Sequence, residues 1–148
     1  MERLNGYMRH PSPLVDSSLA PVYVEKNLGE DAYRGLSMEE RLSLSVSFWT
    51  TLDHRVAWVA DLTEIQTSTA AGRQKYAEFQ ARVDPYQYRL LDALAIVAPS
   101  HRQQGIVKAV EWQRKAPPPY TIRLFDDPAG AIAWARELVG QPERSGRE

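Results

Sequence analysis

Residues 57–79 read AWVADLTEIQTSTAAGRQKYAEF. The first part, preceded by Arg55 and Val56, is almost wholly apolar through Ala60 and runs on to Leu62. Such a run suits a strand in a sheet covered on both faces, as in an α/β protein. The second part places Gly72, Tyr76, Phe79 and then Val83 three or four residues apart. That is helical spacing, and Pro85 is expected to help end the helix. Between the two lie Thr67, Ser68 and Thr69, three adjacent hydroxyls where the helix should begin.

Serine and threonine are favoured helix caps because their oxygens accept from otherwise unpaired backbone N–H groups. Thr69 is the first candidate, since Ala70 and Ala71 can open the helix, and Thr67 is the second. The same place also suits an anion site or a phosphate acceptor. A phosphoryl group on Ser68 would add a charge of about −1.5 to −2 and three strong acceptors at the positive end of the helix. Arg73 would be its mate.

Outward from this stretch the chain alternates. Val22 and Val24 flank Tyr23 in PVYVEKNL, a first strand. Ser37 to Glu40 has capping-box spacing, and Met38, Leu42, Val46, Trp49 and Leu52 continue a helical stripe that should end near Asp53. LLDALAIVAPS is the next buried strand, and Ser100 to Gln103 is a second capping box. The helix behind it places Ile106, Ala109, Val110 and Gln113 inward, with Val107 nearby, and stops at Lys115–Pro119. TIRLF is a further strand. Asp127-Pro128 then starts a helix with Ala131, Trp134, Ala135 and Leu138 inward, bounded by Gly140.

The order is β-α-β-α-β-α-β-α. It predicts an α/β fold with a four-stranded or five-stranded, mostly parallel sheet and alternating helices. A short antiparallel strand from the N-terminal region is an option for one edge. Residues 1–20 read as a loose arm able to dock through Leu14, Val15 and Leu19. Residues 21–140 form the domain, and 141–148 a polar, flexible tail.

Composition narrows the function classes. The 148 residues, 43% apolar and 25% charged, suit one globular domain. A net charge of −1 gives no overall attraction to nucleic acid or an anionic membrane, so no nucleic-acid partner is expected. The absence of cysteine removes disulfides, thiolate nucleophiles and cysteine zinc sites. The N-terminus does not resemble a secretion signal, and no run approaches the ~20 apolar residues that span a bilayer. A cytoplasmic location is the expectation.

Motifs for chemistry are missing. His10, His54 and His101 share no metal-ligand spacing. No serine lies in G-x-S-x-G, and neither a Walker A loop nor G-x-G-x-x-G follows a strand. A non-enzymatic protein without cofactor or metal is therefore expected. Asp61 sits near a strand's carboxyl end, where α/β proteins place functional groups, and reads either as the acceptor of a loop amide or as a regulatory group. Thr63 and Glu64 share its turn and would belong to a contact surface. Arg102, Lys108, Arg114 and Lys115 spread around the third helix as a solvated face. Trp49, Trp58 and Trp134 have core spacing, whereas Trp112 falls off the inner side as an exposed or interface aromatic.

The Asp61-to-Thr69 stretch and the closing TIRLFDDPAGAIAWARELV resemble the STAS domain superfamily, most closely its SpoIIAA-like members. There an apolar strand ends in an Asp-containing turn, then a hydroxyl-bearing loop and helix. The terminal strand, acidic turn and Ala-x-x-Trp helix match as well, so the resemblance spans about residues 21–140. It departs in one place: Thr67-Ser68-Thr69-Ala70 stands where an Asp-Ser-Ser-Gly run is characteristic.

The resemblance implies a non-enzymatic interaction or signalling domain regulated at Ser68, with Asp61 organising the turn. A protein partner is implied, with a kinase or other signalling protein among the candidates. Some relatives are associated with apolar ligands. The alternative is accordingly a small apolar or amphipathic molecule bound between sheet and helices, with Tyr76, Phe79, Trp112 and Trp134 as lining. A third option is an oligomerisation module, such as a homodimer, using Trp112 and Pro117–Pro119.

Overall fold

The computed structural model describes residues 2–28, 37–65, 68–112, 114 and 116–140. Its elements are β1 (Arg3–Leu4), β2 (Tyr7–Met8), β3 (Val15–Asp16), β4 (Val22–Lys26), α1 (Met38–Thr51), β5 (Val56–Asp61), α2 (Ala70–Gln87), β6 (Leu91–Val97), α3 (His101–Glu111), β7 (Thr121–Phe125) and α4 (Pro128–Leu138). A five-stranded sheet has the order β3-β4-β5-β6-β7, and β1 and β2 form a separate hairpin. The strands β4 to β7 are parallel, with Val24 beside Val59, Val59 beside Ala95 and Ala95 beside Arg123. Only β3 is antiparallel, pairing Val15 with Glu25. The α/β fold read from the alternation is the fold observed.

Parallel strands added in one direction by crossovers of one hand place every intervening helix on the same face. The two buried clusters follow that rule. Leu42 and Trp49 of α1, Phe79 and Val83 of α2 and Val107 of α3 meet Trp58, Ala60 and Ile96 on one face. The terminal α4 covers the other face, where Ala131, Ala135 and Leu138 meet Ala57, Val59, Ala93, Ala95 and Val97.

The faces differ in side-chain size. Alanine and valine let α4 lie close to its strands. Tryptophan, leucine and isoleucine on the other face hold three helices further off, and a gap between large side chains is harder to fill.

Three caps stand where the sequence puts them. Thr69 Oγ1 accepts from Gly72 N at 3.0 Å, and Asp127 Oδ1 accepts from Gly130 N at 2.8 Å. At Ser100 the full reciprocal box forms, with both bonds at 3.2 Å. Ser37 also caps its helix, but Glu40 accepts from the Ser37 hydroxyl and not from its backbone N–H.

Several expectations need correction. Residues 3–17 are not a loose arm. Asn5 and Gly6 take positive φ values of 52° and 85° and turn β1 into β2. Met8 is then 1% exposed, its N–H donating to His54 Nε2 at 3.1 Å and its carbonyl accepting from the Tyr23 hydroxyl. Pro85 does not end α2, which continues to Gln87. A proline this near the C-terminus forfeits one backbone bond, and Tyr88 N still donates to Asp84 O at 3.1 Å to close the turn. On α3 the fully buried residues are Gln103 and Val107, while Ile106 packs against the same core and Ala109 and Val110 are half-buried. Gln113, residues 29–36 and the tail 141–148 lie outside the described residues.

Candidate functional site

Between the large-residue face of the sheet and α1–α3 lies a cavity of about 150 Å³. Its floor is Trp58 and Ala60 of β5 with Leu94 and Ile96 of β6, all on the face away from α4. Its roof includes Tyr76 and Phe79 of α2. Trp49 and Trp58 have ring centroids 5.4 Å apart and form part of a continuous aromatic cluster with Phe48 and Tyr23.

The cavity has two polar zones. One lies at the carboxyl ends of β4 and β5, where open α/β sheets place their ligand sites. There Lys26, Asn27, Ser68, Arg73 and Tyr76 all reach the cavity. Asn27 Nδ2 donates to the Tyr76 hydroxyl at 2.8 Å and joins the end of β4 to α2. Arg73 Nη1 donates to Ser68 Oγ at 2.9 Å and to the Ser68 carbonyl at 3.4 Å. Lys26 pairs with Glu64 at 2.8 Å.

The second zone lies at the sheet edge, where His10, Glu25 and Arg41 line the same space. Burial pushes the Glu25 carboxyl up, against the opposing pull of the Trp58 indole N–H at 3.4 Å and the Arg41 charge. Burial, assisted by the Arg41 charge, pulls His10 down to about 4. Its ring packs on Phe48 with centroids 4.5 Å apart, and Nδ1 accepts from Ser12 N at 3.0 Å. A neutral imidazole is the form this setting favours.

The turn between β5 and α2 is held from three sides. Asp61 Oδ1 accepts from Thr63 N at 2.9 Å, which is the amide-acceptor role open to it from the sequence. Leu62 N donates to Val97 O at 3.0 Å. Gln103, buried at the start of α3, donates Nε2 to Leu62 O at 3.1 Å and to Thr63 O at 3.3 Å. One glutamine therefore caps α3 and pins the turn.

The structure thus brings Ser68, Arg73, Tyr76 and Phe79 together around one cavity. Thr69 is beside them as the cap of α2, while Thr63 and Glu64 face solvent in the turn. Thr67 lies outside the described residues. Two of the four aromatic lining candidates are elsewhere. Trp112 is 88% exposed at the end of α3, because it falls opposite the Gln103–Val107 side. Trp134 packs on Phe125 at 5.5 Å on the α4 face of the sheet.

Sequence reasoning missed His10, Glu25 and Arg41. A signal for Glu25 existed: in PVYVEK the alternation puts Tyr23 and Glu25 on one face and Val22 and Val24 on the other. An acid turned toward a covered face of a sheet marks either a strong partner or a polar site. Among the described residues, no group of three or more His, Asp and Glu side chains is placed to hold a metal ion, and no helix is long and apolar enough to cross a membrane. No family model, curated protein or solved structure matches the chain.

Proposed function

We propose that this is a non-enzymatic, STAS-like binding domain that takes a small amphipathic molecule between its sheet and α1–α3. The observation that carries the proposal is the cavity of about 150 Å³, apolar at its floor and polar at the strand ends. Ligand pockets combine such a lining with a few convergent polar groups. A core helix face alone would account for Phe79 but not for Glu25, Arg41 and Arg73 opening onto the same space.

Native mass spectrometry of protein isolated without denaturation tests the reading. The expected result is a bound small molecule that leaves on acid denaturation. Ala60→Leu, which fills the floor without touching a polar group, should abolish retention while the circular dichroism spectrum is kept. Retention by the filled variant equal to that of the wild type would refute the proposal.

A second reading has its own support in the Arg73–Ser68 hydrogen bond at 2.9 Å. A half-exposed serine beside a guanidinium is a place where a phosphoryl group gains a ready partner. In this reading a kinase modifies Ser68, and a protein partner reads the turn from Thr63 to Thr69. Phosphopeptide mapping of protein from its native cells tests it, and a consistently unmodified Ser68 would end it.

A further inference from the structure

Resting on the cavity reading above, we infer that the ligand is an organic acid whose apolar body is no larger than one ring, seated with its carboxylate on Arg73 and Ser68.

Size sets the first limit. A cavity of 150 Å³ lined by aliphatic and aromatic side chains is about the space that benzene occupies in a protein interior. The cavity here has that volume and that floor. A phenyl group or a chain of about six carbons fills it, and a longer acyl chain would leave its remainder outside.

Charge decides the head group. Among the described residues, four lysine and arginine side chains reach the cavity, and they differ in what already faces them. Lys26 is paired with Glu64 at 2.8 Å. Arg114 is paired with Asp84 at 2.8 Å and Glu111 at 3.0 Å. Arg41 has its guanidinium over the Phe79 ring, 6.0 Å from the centroid, and its charge already acts on the Glu25 carboxyl. Arg73 instead donates to the hydroxyl and carbonyl of Ser68, both neutral. A carboxylate entering there forms a charge-assisted bond and displaces only a neutral contact.

Ser68 completes the seat. Its oxygen accepts from Arg73, which leaves its own O–H to donate to the second carboxylate oxygen. A cationic head, by contrast, would choose Glu25, and this is the competing arrangement.

Three probes with one ring and different heads separate these outcomes: phenylacetate, 2-phenylethanol and phenethylamine, titrated at pH 7.5 into the full chain by calorimetry. Phenylacetate should bind about tenfold more tightly than the alcohol, and the amine most weakly. Arg73→Gln should erase the preference for the acid while leaving the alcohol's affinity within about twofold, and Arg73→Lys should restore part of it. Equal binding of acid and alcohol, or a preference unchanged in Arg73→Gln, overturns the anion seat while the cavity reading stands. Preference for the amine overturns it in favour of Glu25. Failure of all three probes to bind, with decanoate binding instead, overturns the size limit. Failure of every probe in wild type and Ala60→Leu alike overturns the cavity reading itself.

Discussion

Arg73 and Ser68 are joined by a 2.9 Å hydrogen bond across the first turn of α2, at the polar rim of the cavity. The bond sets what a negative charge on residue 68 should do. Ser68→Asp places a carboxylate beside the guanidinium, and the partly exposed pair should change stability by no more than about 1 kcal/mol in urea denaturation. The same carboxylate occupies the anion seat, so phenylacetate binding should fall by about tenfold. A large loss of stability would mean that Ser68 serves the fold, and unchanged binding would remove it from the rim.

Asp92 answers to a different kind of contact. It is 3% exposed and accepts from Arg55 Nε at 2.8 Å and Nη2 at 2.6 Å. Its other oxygen accepts from Gly140 N at 2.8 Å, which ties the end of α4 to the start of β6. Gly140 has φ +79°, the left-handed region that suits glycine just after a helix. Asp92→Ala strands a partly buried guanidinium and a backbone donor together, and should cost about 3 kcal/mol in chemical denaturation. The Arg82–Glu39 pair at 3.1 Å, solvent-exposed on both sides, supplies the contrast. Arg82→Ala should fall within about 0.5 kcal/mol of wild type.

The difference between those two pairs also shows what the sequence could and could not convey. Strand and helix order was legible because each element carries its own period, and the caps at Thr69, Ser100 and Asp127 were legible because capping is local chemistry. The Arg55–Asp92 pair joins residues 37 apart, and nothing local announces it. The cavity is of the same kind. Phe79 reads as a helix stripe whether the space beneath it is filled or empty, and only the spacing of helix against sheet decides. Trp112 was legible as off the inner side. Trp134 was not separable from a lining residue until α4 was found alone on the far face.

His10 and Glu25 face one cavity and should tilt the pH dependence of stability in opposite directions. His10 falls from its ordinary 6.5 to about 4 in the fold, chiefly by burial and then by the Arg41 charge. Its neutral form is the folded form, so between pH 4 and 6.5 the unfolded chain holds the extra proton. The contribution is fully present above pH 6.5, declines as pH falls, and is gone near pH 4, at about 3 kcal/mol over the window. Glu25 is raised by burial, so its contribution is present at acid pH and is lost as pH rises through its folded value. Urea denaturation at half-unit pH steps separates them. His10→Gln should flatten the rise between pH 4 and 6.5, and Glu25→Gln should gain on wild type as the pH rises. Parallel curves for wild type and His10→Gln would show that the imidazole is not buried in its neutral form.

The hairpin at the N-terminus yields the last prediction, and its signal was in the sequence. Leu4-Asn5-Gly6-Tyr7 contains Asn-Gly, the pair favoured in two-residue hairpin turns because both residues must take positive φ. Gly6 does so at +85° with nothing within 4 Å of an added Cβ. Gly6→Ala therefore meets backbone strain without a clash, and should cost about 1 kcal/mol. The cost reaches beyond the turn. Met8 packs on the core just behind it, Arg3 pairs with Asp53, and His10 and Ser12 wall the cavity further on. Hydrogen exchange should accordingly quicken at Met8 N and His10 N, which donate to His54 Nε2 and Ser17 Oγ, while β5 and β6 keep their protection. Phenylacetate affinity should weaken in the same variant, since one wall of its site has loosened. An arm that plays no part in the cavity would show the faster exchange alone.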